Sequence, residues 1–200
     1  MMRPAMPSKL ILALLTSLVA LSFTSPAEAA PKKKYHFKLA AVTAKAEIAA
    51  DVAKQATPRV EATVKKAFSS HAQLVPTLDG APDPDAAADK YRKFLKAKGI
   101  AGAYLVTVEV TEASVEVVPM DNKPNSQRLV VRVGVHLLGE NIPGRTMGFT
   151  GDGQATIKQE VGKKVRDKDR EFAWDSAAEV AIADAMTTVF KQLAVPPKKQ

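Results

Sequence analysis

The stretch RLVVRVGVHLLGENIPGRTMGFTGDGQATI, residues 128–157, decides the fold. Its first half places an apolar residue at every second position over residues 129–137, and its second half alternates in the same way over residues 147–157. A period of two residues is typical of a β-strand with one buried face. Between the halves, Pro143-Gly144 suits the centre of a type II turn, so the stretch predicts an antiparallel strand pair.

A third strand precedes this pair. Residues 104–117 also alternate, but the apolar series moves to the other parity near Ala113, which predicts a bulge or a kink at that point. A connector rich in proline and asparagine, residues 119–127, leads into the pair. The three runs together predict an antiparallel meander that is covered on one side only.

The residues before the meander predict further elements. Residues 35–42 favour a first strand, and residues 44–55 are either helical or irregular. Thr57-Pro58 is typical of a helix start, because threonine caps and proline suits the first helical position. Residues 71–78 favour a short edge strand. The helix that starts at Thr57-Pro58 has a predicted buried face made of Val60, Val64, Ala67 and Phe68.

Two more helices complete the pattern. Asp83, followed by a proline, predicts the start of one helix, which ends at Gly99. After a charged loop at residues 163–170, Ser176 and Glu179 predict a capping box for the last helix. The predicted order β-α-β-α-β-β-β-α is an α+β fold, a single-layer mixed sheet with helices packed on one face.

The first 29 residues have the pattern of a cleavable signal peptide. A basic start precedes an uncharged apolar run at residues 10–23 and then Ala27-Glu28-Ala29, the small-x-small pattern that signal peptidase recognises. A membrane anchor is the alternative, but it needs about 20 apolar residues and this run is shorter. We therefore predict a periplasmic or secreted protein with a signal peptide at 1–29, a basic disordered tail at 30–34, one α+β domain at 35–195 and a basic tail at 196–200.

Composition limits the possible functions. The chain has no cysteine, so neither disulfides nor lipid attachment at a cysteine is expected. Its net charge is +8, but after removal of the signal peptide most of the excess comes from five tail lysines, and residues 35–197 carry only +2. A nucleic-acid groove needs basic residues concentrated on one folded face, which disfavours that function. The basic tails are still compatible with weak attraction of the protein to an anionic envelope surface.

The sequence offers no catalytic or metal-binding constellation. The three histidines are His36, His71 and His136. His71 follows two serines, but a catalytic triad is defined by geometry and a third orienting group. The aspartates at residues 79–89 lack the spacing of a calcium-binding EF-hand and favour helix capping. We therefore expect no catalytic residues, no metal and no cofactor.

Three features have both a structural and a functional interpretation. Gly151 and Gly153 indicate that a helix packs closely against the strand, in preference to the alternative of an anion site built from backbone amides. Trp174 is interpreted as a residue that anchors the core, in preference to one on which a ligand stacks. The charged run at residues 163–171 favours a solvated loop over a site for an acidic partner.

The meander quoted above and the alanine-rich stretch AAEVAIADAMTTVFKQL, residues 177–193, resemble one bacterial envelope superfamily. It includes the curli secretion-channel lipoprotein, the lipoprotein activator of penicillin-binding proteins and the N-terminal domain of the Tol translocation protein. The resemblance extends over residues 100–195 and implies the same fold and an envelope setting. Members of the first two kinds are lipoproteins, whereas this chain has no cysteine, and no functional residue is carried over.

These observations favour a non-enzymatic binding or accessory protein of the cell envelope, with a protein or an envelope polymer as its partner. Arg128, Arg132 and His136 are the candidate partner-binding residues, because they align on the uncovered face of the sheet as a positive strip. The strip is more positive when the histidine is protonated. Ordinary solvated sheet surface is the alternative for the strip, and a small periplasmic hydrolase with scattered Asp, Glu and His is the alternative function.

Overall fold

The computed structural model describes residues 33–195. Within them, the strands and helices are β1 (Lys34–Ala44), α1 (Ala50–Ser70), α2 (Ala88–Ala97), β2 (Ile100–Pro119), β3 (Ser126–Asn141), β4 (Met147–Gly162) and α3 (Asp167–Ala194). The strands form one open sheet in the order β1-β2-β3-β4, with β1 parallel to β2 and the other pairs antiparallel. The predicted α+β class, mixed sheet and meander are confirmed. The predictions for residues 1–32 and 196–200 lie outside the described residues.

One face of the sheet carries the main core. The predicted apolar series of β3 is at most 1% exposed, and the matching valines of β2 are fully buried. Helices α1 and α3 cover this face and contribute Val60, Trp174 and Ile182, each at most 1% exposed. The predicted buried face of β3 and the interpretation of Trp174 as a core anchor are therefore confirmed.

Glycines allow β4 and α3 to pack backbone to backbone. A Cβ added to Gly151 would lie 2.6 Å from Val189 Cγ2 and 2.7 Å from the Ala185 carbonyl oxygen. A Cβ on Gly153 would overlap the Ala181 carbonyl oxygen and lie 2.6 Å from the Ala185 nitrogen. No side chain larger than hydrogen fits at either position, which confirms the close-approach interpretation.

Helix α1 begins at Ala50, so the predicted start at Thr57 is wrong, and residues 50–55 of the stretch that the sequence left open are helical. Pro58 lies inside the helix, where it cannot donate a backbone hydrogen bond. The helix continues through Pro58 because Val52 and Ala56, on the preceding turns, pack against the main core. Their buried surface offsets the lost bond.

The segment between α1 and α2 does not form the strand predicted for residues 71–78. It makes an isolated parallel bridge to the start of β1, in which the Tyr35 N–H donates to the Gln73 carbonyl at 2.9 Å and the Val75 N–H donates to the Tyr35 carbonyl at 2.8 Å. Pro76 has no N–H with which to continue the ladder. The element order is therefore β-α-α-β-β-β-α.

Helix α2 begins at Ala88, later than predicted. The Asp83 carboxylate accepts hydrogen bonds from the N–H groups of Asp85 and Ala86 at 2.8 and 3.3 Å, so it caps a single turn that precedes the helix. Gly99, with φ of 67°, ends the helix as predicted.

The expectation that the helices share one face of the sheet holds for α1 and α3 but not for α2. Tyr91 and Leu95 of α2 pack in a smaller cluster with Ile100 and Ala103. Ala103 precedes Tyr104, a residue of the main core, and successive side chains of a strand lie on opposite faces of the sheet. The side chain of Ala103 therefore lies on the face opposite the main core. Helix α2 therefore covers the beginning of β2 on that opposite face.

Helix α3 begins at Asp167, nine residues before the predicted capping residue Ser176. The Asp169 carboxylate accepts hydrogen bonds from the N–H of Arg166 at 3.1 Å and from its guanidinium at 2.8 Å. These bonds hold the pKa of Asp169 below its ordinary value. Part of the predicted charged loop is thus the first turn of the helix, which extends this far because Ala173 is buried in the core.

The loop between β3 and β4 is wider than the predicted type II turn. The Arg145 N–H donates to the Asn141 carbonyl at 3.0 Å, a bond from residue i+4 rather than i+3. The Asn141 N–H in turn donates to the Thr146 carbonyl at 2.8 Å and closes the loop.

Candidate functional site

The three sequence-predicted residues lie together on β3, on the face of the sheet turned away from α1 and α3. Arg128, Arg132 and His136 alternate with the buried series of this strand, so they share one face and form a row. Arg128 is exposed, and the side chains of Arg132 and His136 are each 35% exposed.

Acidic residues on both neighbouring strands pair with this row. Arg132 Nη1 lies 2.8 Å from Glu116 Oε1 on β2. His136 Nδ1 lies 2.7 Å from Asp152 Oδ1 on β4. The row is therefore part of a surface of mixed charge, and two of its three members already have an acidic partner.

Arg128 also has an acidic neighbour. It lies opposite Glu160 in the β3–β4 register, and Glu160 accepts a 2.6 Å hydrogen bond from Lys123. This hydrogen bond, with smaller contributions from Ser126 and Arg128, holds the pKa of Glu160 below its ordinary value. Glu160 is thus kept ionised and offsets the charge of Arg128.

A second feature is an uncovered edge on β2. The β1–β2 ladder ends where Ala44 pairs with Val110, and the chain then turns away after the Lys45 N–H donates to the Val110 carbonyl at 3.0 Å. Residues 112–119 continue in unbroken register with β3 alone, and we call this segment the open edge. It extends for about 26 Å, eight residues at about 3.3 Å each. The register shift just before Glu112 confirms the predicted bulge.

The free edges of the two outer strands are protected in part. The start of β1 is bonded to the segment before α2, and a register shift after Leu39 breaks the ladder further along. Along β4, the Thr150 N–H donates to the Gln192 side chain at 3.2 Å and the Gln154 N–H donates to Asp184 at 3.4 Å. Capping and bulges of this kind hinder strand addition, and the open edge has neither along its eight residues, as is also true of β4 beyond Gln154.

The serine and histidine that adjoin in sequence do not form a catalytic pair. The hydroxyls of Ser69 and Ser70 both donate to the Lys66 carbonyl, at 2.9 and 2.8 Å. The His71 ring stacks on Phe190 with 4.2 Å between ring centroids. The interpretation of this segment as a polar helix end therefore agrees with the geometry.

The aspartates before and within α2 have structural partners as well. Asp83 caps a turn, and Asp89 accepts a 3.0 Å hydrogen bond from Arg92 one turn further along the helix. Across residues 33–195, no three His, Cys, Asp or Glu side chains are grouped closely enough to hold a metal ion. None of the helices in this range is both long and apolar enough to cross a membrane.

Comparison with known proteins adds only distant likenesses. No protein-family model and no curated protein matches the chain. Among solved structures, it is similar to rare lipoprotein B from Shewanella oneidensis (15% identity, 80% of this chain and 99% of that one, TM-score 0.37). A minor lipoprotein from Acinetobacter baumannii gives 13% identity, 80% and 93% coverage and a TM-score of 0.36. The PelC dodecamer from Paraburkholderia phytofirmans gives 13% identity, 78% and 88% coverage and a TM-score of 0.36.

These likenesses transfer no residue roles, because both the identities and the TM-scores are low. By its own architecture the chain is an α+β protein with an open, four-stranded mixed sheet, and several of the solved structures similar to it are bacterial lipoproteins.

Proposed function

We propose that this is an exported, non-enzymatic binding or accessory protein of the bacterial cell envelope, and that it captures an extended segment of a partner protein at the open edge. The observation that carries the proposal is the eight-residue stretch of β2 that pairs on one side only. Unpaired backbone N–H and C=O groups along a strand are a template for another strand. The fold-level resemblance to the envelope superfamily supports the setting.

The side chains of the open edge indicate what kind of segment fits. Val115 and Val117 continue the core-facing series, yet Val117 is 38% exposed, and Val118 on the other face is 43% exposed. An added strand with apolar residues at alternate positions would cover Val117 and extend the core. Glu112 and Glu116 are exposed on the same segment and disfavour nonspecific pairing between copies.

The candidate row on β3 borders this edge. Arg132 is bonded to Glu116, which belongs to the open edge, so the two features are parts of one continuous surface. We propose that Arg128, Arg132 and His136 form the flank of the docking surface and contact side chains of the same partner.

Site-specific photo-crosslinking in the native envelope tests the docking site. A photoreactive residue at Val117 should give a discrete adduct, whereas the same residue at Val180, an exposed apolar position on α3, should give none. Equal labelling at both positions would contradict specific docking at the edge.

Hydrogen exchange on the purified complex tests the mode of binding. Every second amide of residues 112–119 has no partner in β3, so it should exchange quickly in the free protein and become protected when a strand is added. Binding without this alternating protection would refute strand addition.

Export is tested separately. Because Ala27 and Ala29 occupy the small-residue positions, the processed protein should begin at Ala30. N-terminal sequencing that finds Met1 intact in the membrane fraction would contradict export by cleavage.

A cavity beneath α2 that includes His36, Asp83 and Asp85 is one place where the alternative, a small hydrolase, would hold its site. No serine, threonine or cysteine lines it, and the Asp83 carboxylate is committed to its turn. The binding proposal predicts no turnover of esters, amides or glycosides by the purified protein. Turnover that is lost in His36→Ala would favour the hydrolase instead.

A further inference from the structure

The cavity beneath α2 has the features of a small-molecule site and lies on the opposite face of the sheet from α1 and α3. Its volume is about 290 Å³, and its walls come from the start of β1, the segment before α2, α2 itself and the β3–β4 loop. Leu78, Leu105 and Ile142 supply apolar surface. Ligand sites typically combine such a surface with a few polar groups in fixed positions.

Two polar side chains of the cavity wall are more than nine-tenths buried and still have a free polar atom. His36 is 9% exposed, and its Nδ1 lies 2.8 Å from the Val75 carbonyl oxygen, so Nδ1 carries the proton and Nε2 of the neutral ring is an acceptor. Tyr91 is 3% exposed, and its hydroxyl has no hydrogen-bond partner among the described residues. Neither atom is itself enclosed, so both stay accessible to a small molecule that enters the cavity.

Charged side chains of both signs line the cavity. Lys38 and Arg145 contribute two positive charges, and Asp83 and Asp85 contribute two negative ones. Lys38 and Asp85 make no ion pair within residues 33–195, whereas Arg145 lies 3.6 Å from Glu140. A balanced set of separate charges matches a ligand that itself carries one charge of each sign.

We propose that the cavity binds a small zwitterion with an apolar side chain, either a free α-amino acid or a short peptide. The carboxylate would pair with Lys38 and Arg145, and the ammonium group with Asp85 and the lone pair of His36. The apolar side chain would contact the leucine and isoleucine surface. This inference does not depend on strand addition at the open edge.

Calorimetric titration of the processed protein with matched probes tests the chemistry. L-Leucine carries both charges, leucinamide lacks the carboxylate, and 4-methylpentanoate lacks the ammonium group. Each missing charge should weaken binding about ten- to a hundredfold, because each removes a charged hydrogen bond. Leucylglycine serves as the peptide probe. Tighter binding of leucine supports a free amino acid, and tighter binding of the dipeptide supports a peptide.

Variants connect the binding to this cavity. Lys38→Gln and Asp85→Asn should each weaken binding of the better probe at least about tenfold, while Asp121→Asn in the distant β2–β3 connector should leave it unchanged. Two outcomes would overturn the proposal. One is no heat with either leucine or leucylglycine at about 10 mM. The other is equal affinity for leucine and 4-methylpentanoate.

Discussion

Replacing Gly153 by alanine tests the packing of β4 against α3. The new Cβ would overlap the Ala181 carbonyl oxygen and lie 2.6 Å from the Ala185 nitrogen. Both atoms belong to helix backbone, so no side chain can rotate away, and α3 must move as a whole. Overpacking of a core typically costs about 1–3 kcal/mol, and a backbone clash belongs at the upper end, about 3 kcal/mol. For a domain of this size that corresponds to a fall in Tm of about 6–12 °C.

The assay can use the fluorescence of Trp174, the single tryptophan of the chain, which is 1% exposed and lies on the helix that must shift. Urea melts followed at this residue give the free energy of unfolding. Gly162→Ala is the matched control, because a Cβ at this glycine, at the end of the same strand, meets nothing within 4 Å. A Gly153→Ala protein as stable as the control would refute the close packing of β4 and α3.

Three further predictions concern the faces of the sheet, the start of α3 and the row on β3. Val133→Asp buries a carboxylate at a site that is 1% exposed and should unfold the domain, whereas Arg132→Ala loses a partly exposed ion pair and should cost no more than about 1 kcal/mol. Equal destabilisation in urea would mean that the faces are misassigned. The pKa of Asp169 is lowered in the folded state, so its ion pair with Arg166 stabilises the fold at pH values above the unfolded pKa of about 3.9. This stabilisation is lost as the pH falls through the lower pKa of the folded state. Melts at neutral pH and at about pH 3 should therefore differ more for the wild type than for Asp169→Asn, and an equal loss would contradict the pair. Arg128→Glu combined with Arg132→Glu should weaken capture of the envelope partner with little change in melting, and capture that survives would leave the open edge as the whole contact.

The sheet was predictable from the sequence because its strands obey a strict period of two. The buried series of β3 could be assigned residue by residue, and the change of parity near Ala113 located the bulge. The glycine pair on β4 was also interpretable, since hydrogen is the only side chain that permits close packing.

Helix starts were predicted less well, because local capping signals competed with burial further away. Thr57-Pro58 has the sequence of a helix start, yet the contacts of Val52 and Ala56 with the core extend α1 before it. At α3, the run of charges obscured an Arg166–Asp169 capping pair that three-dimensional geometry makes clear. Residues 71–78 have side chains that suit a strand, but within the described residues they form only one β-bridge, between Leu74 and Tyr35 of β1.

The open edge and the cavity were not predicted, because both depend on where elements end relative to one another. A hint was present, since the alternating run at residues 104–117 is longer than the run at residues 35–42 that precedes it. The acidic partners of Arg132 and His136 were also hidden, because cross-strand register brings Glu116 and Asp152 to them from 16 residues away in sequence.

Pro58 has a consequence for the motions of α1. Because it has no N–H to donate to the Lys54 carbonyl, the turns at residues 50–55 are joined to the rest of the helix by fewer backbone bonds. These turns follow the loop that leaves β1 beside Val110, the last residue of β2 that pairs with β1. They should unwind locally at a lower free energy than the later turns, without unfolding of the sheet. Local opening of these turns would leave the strands, including the open edge, in place.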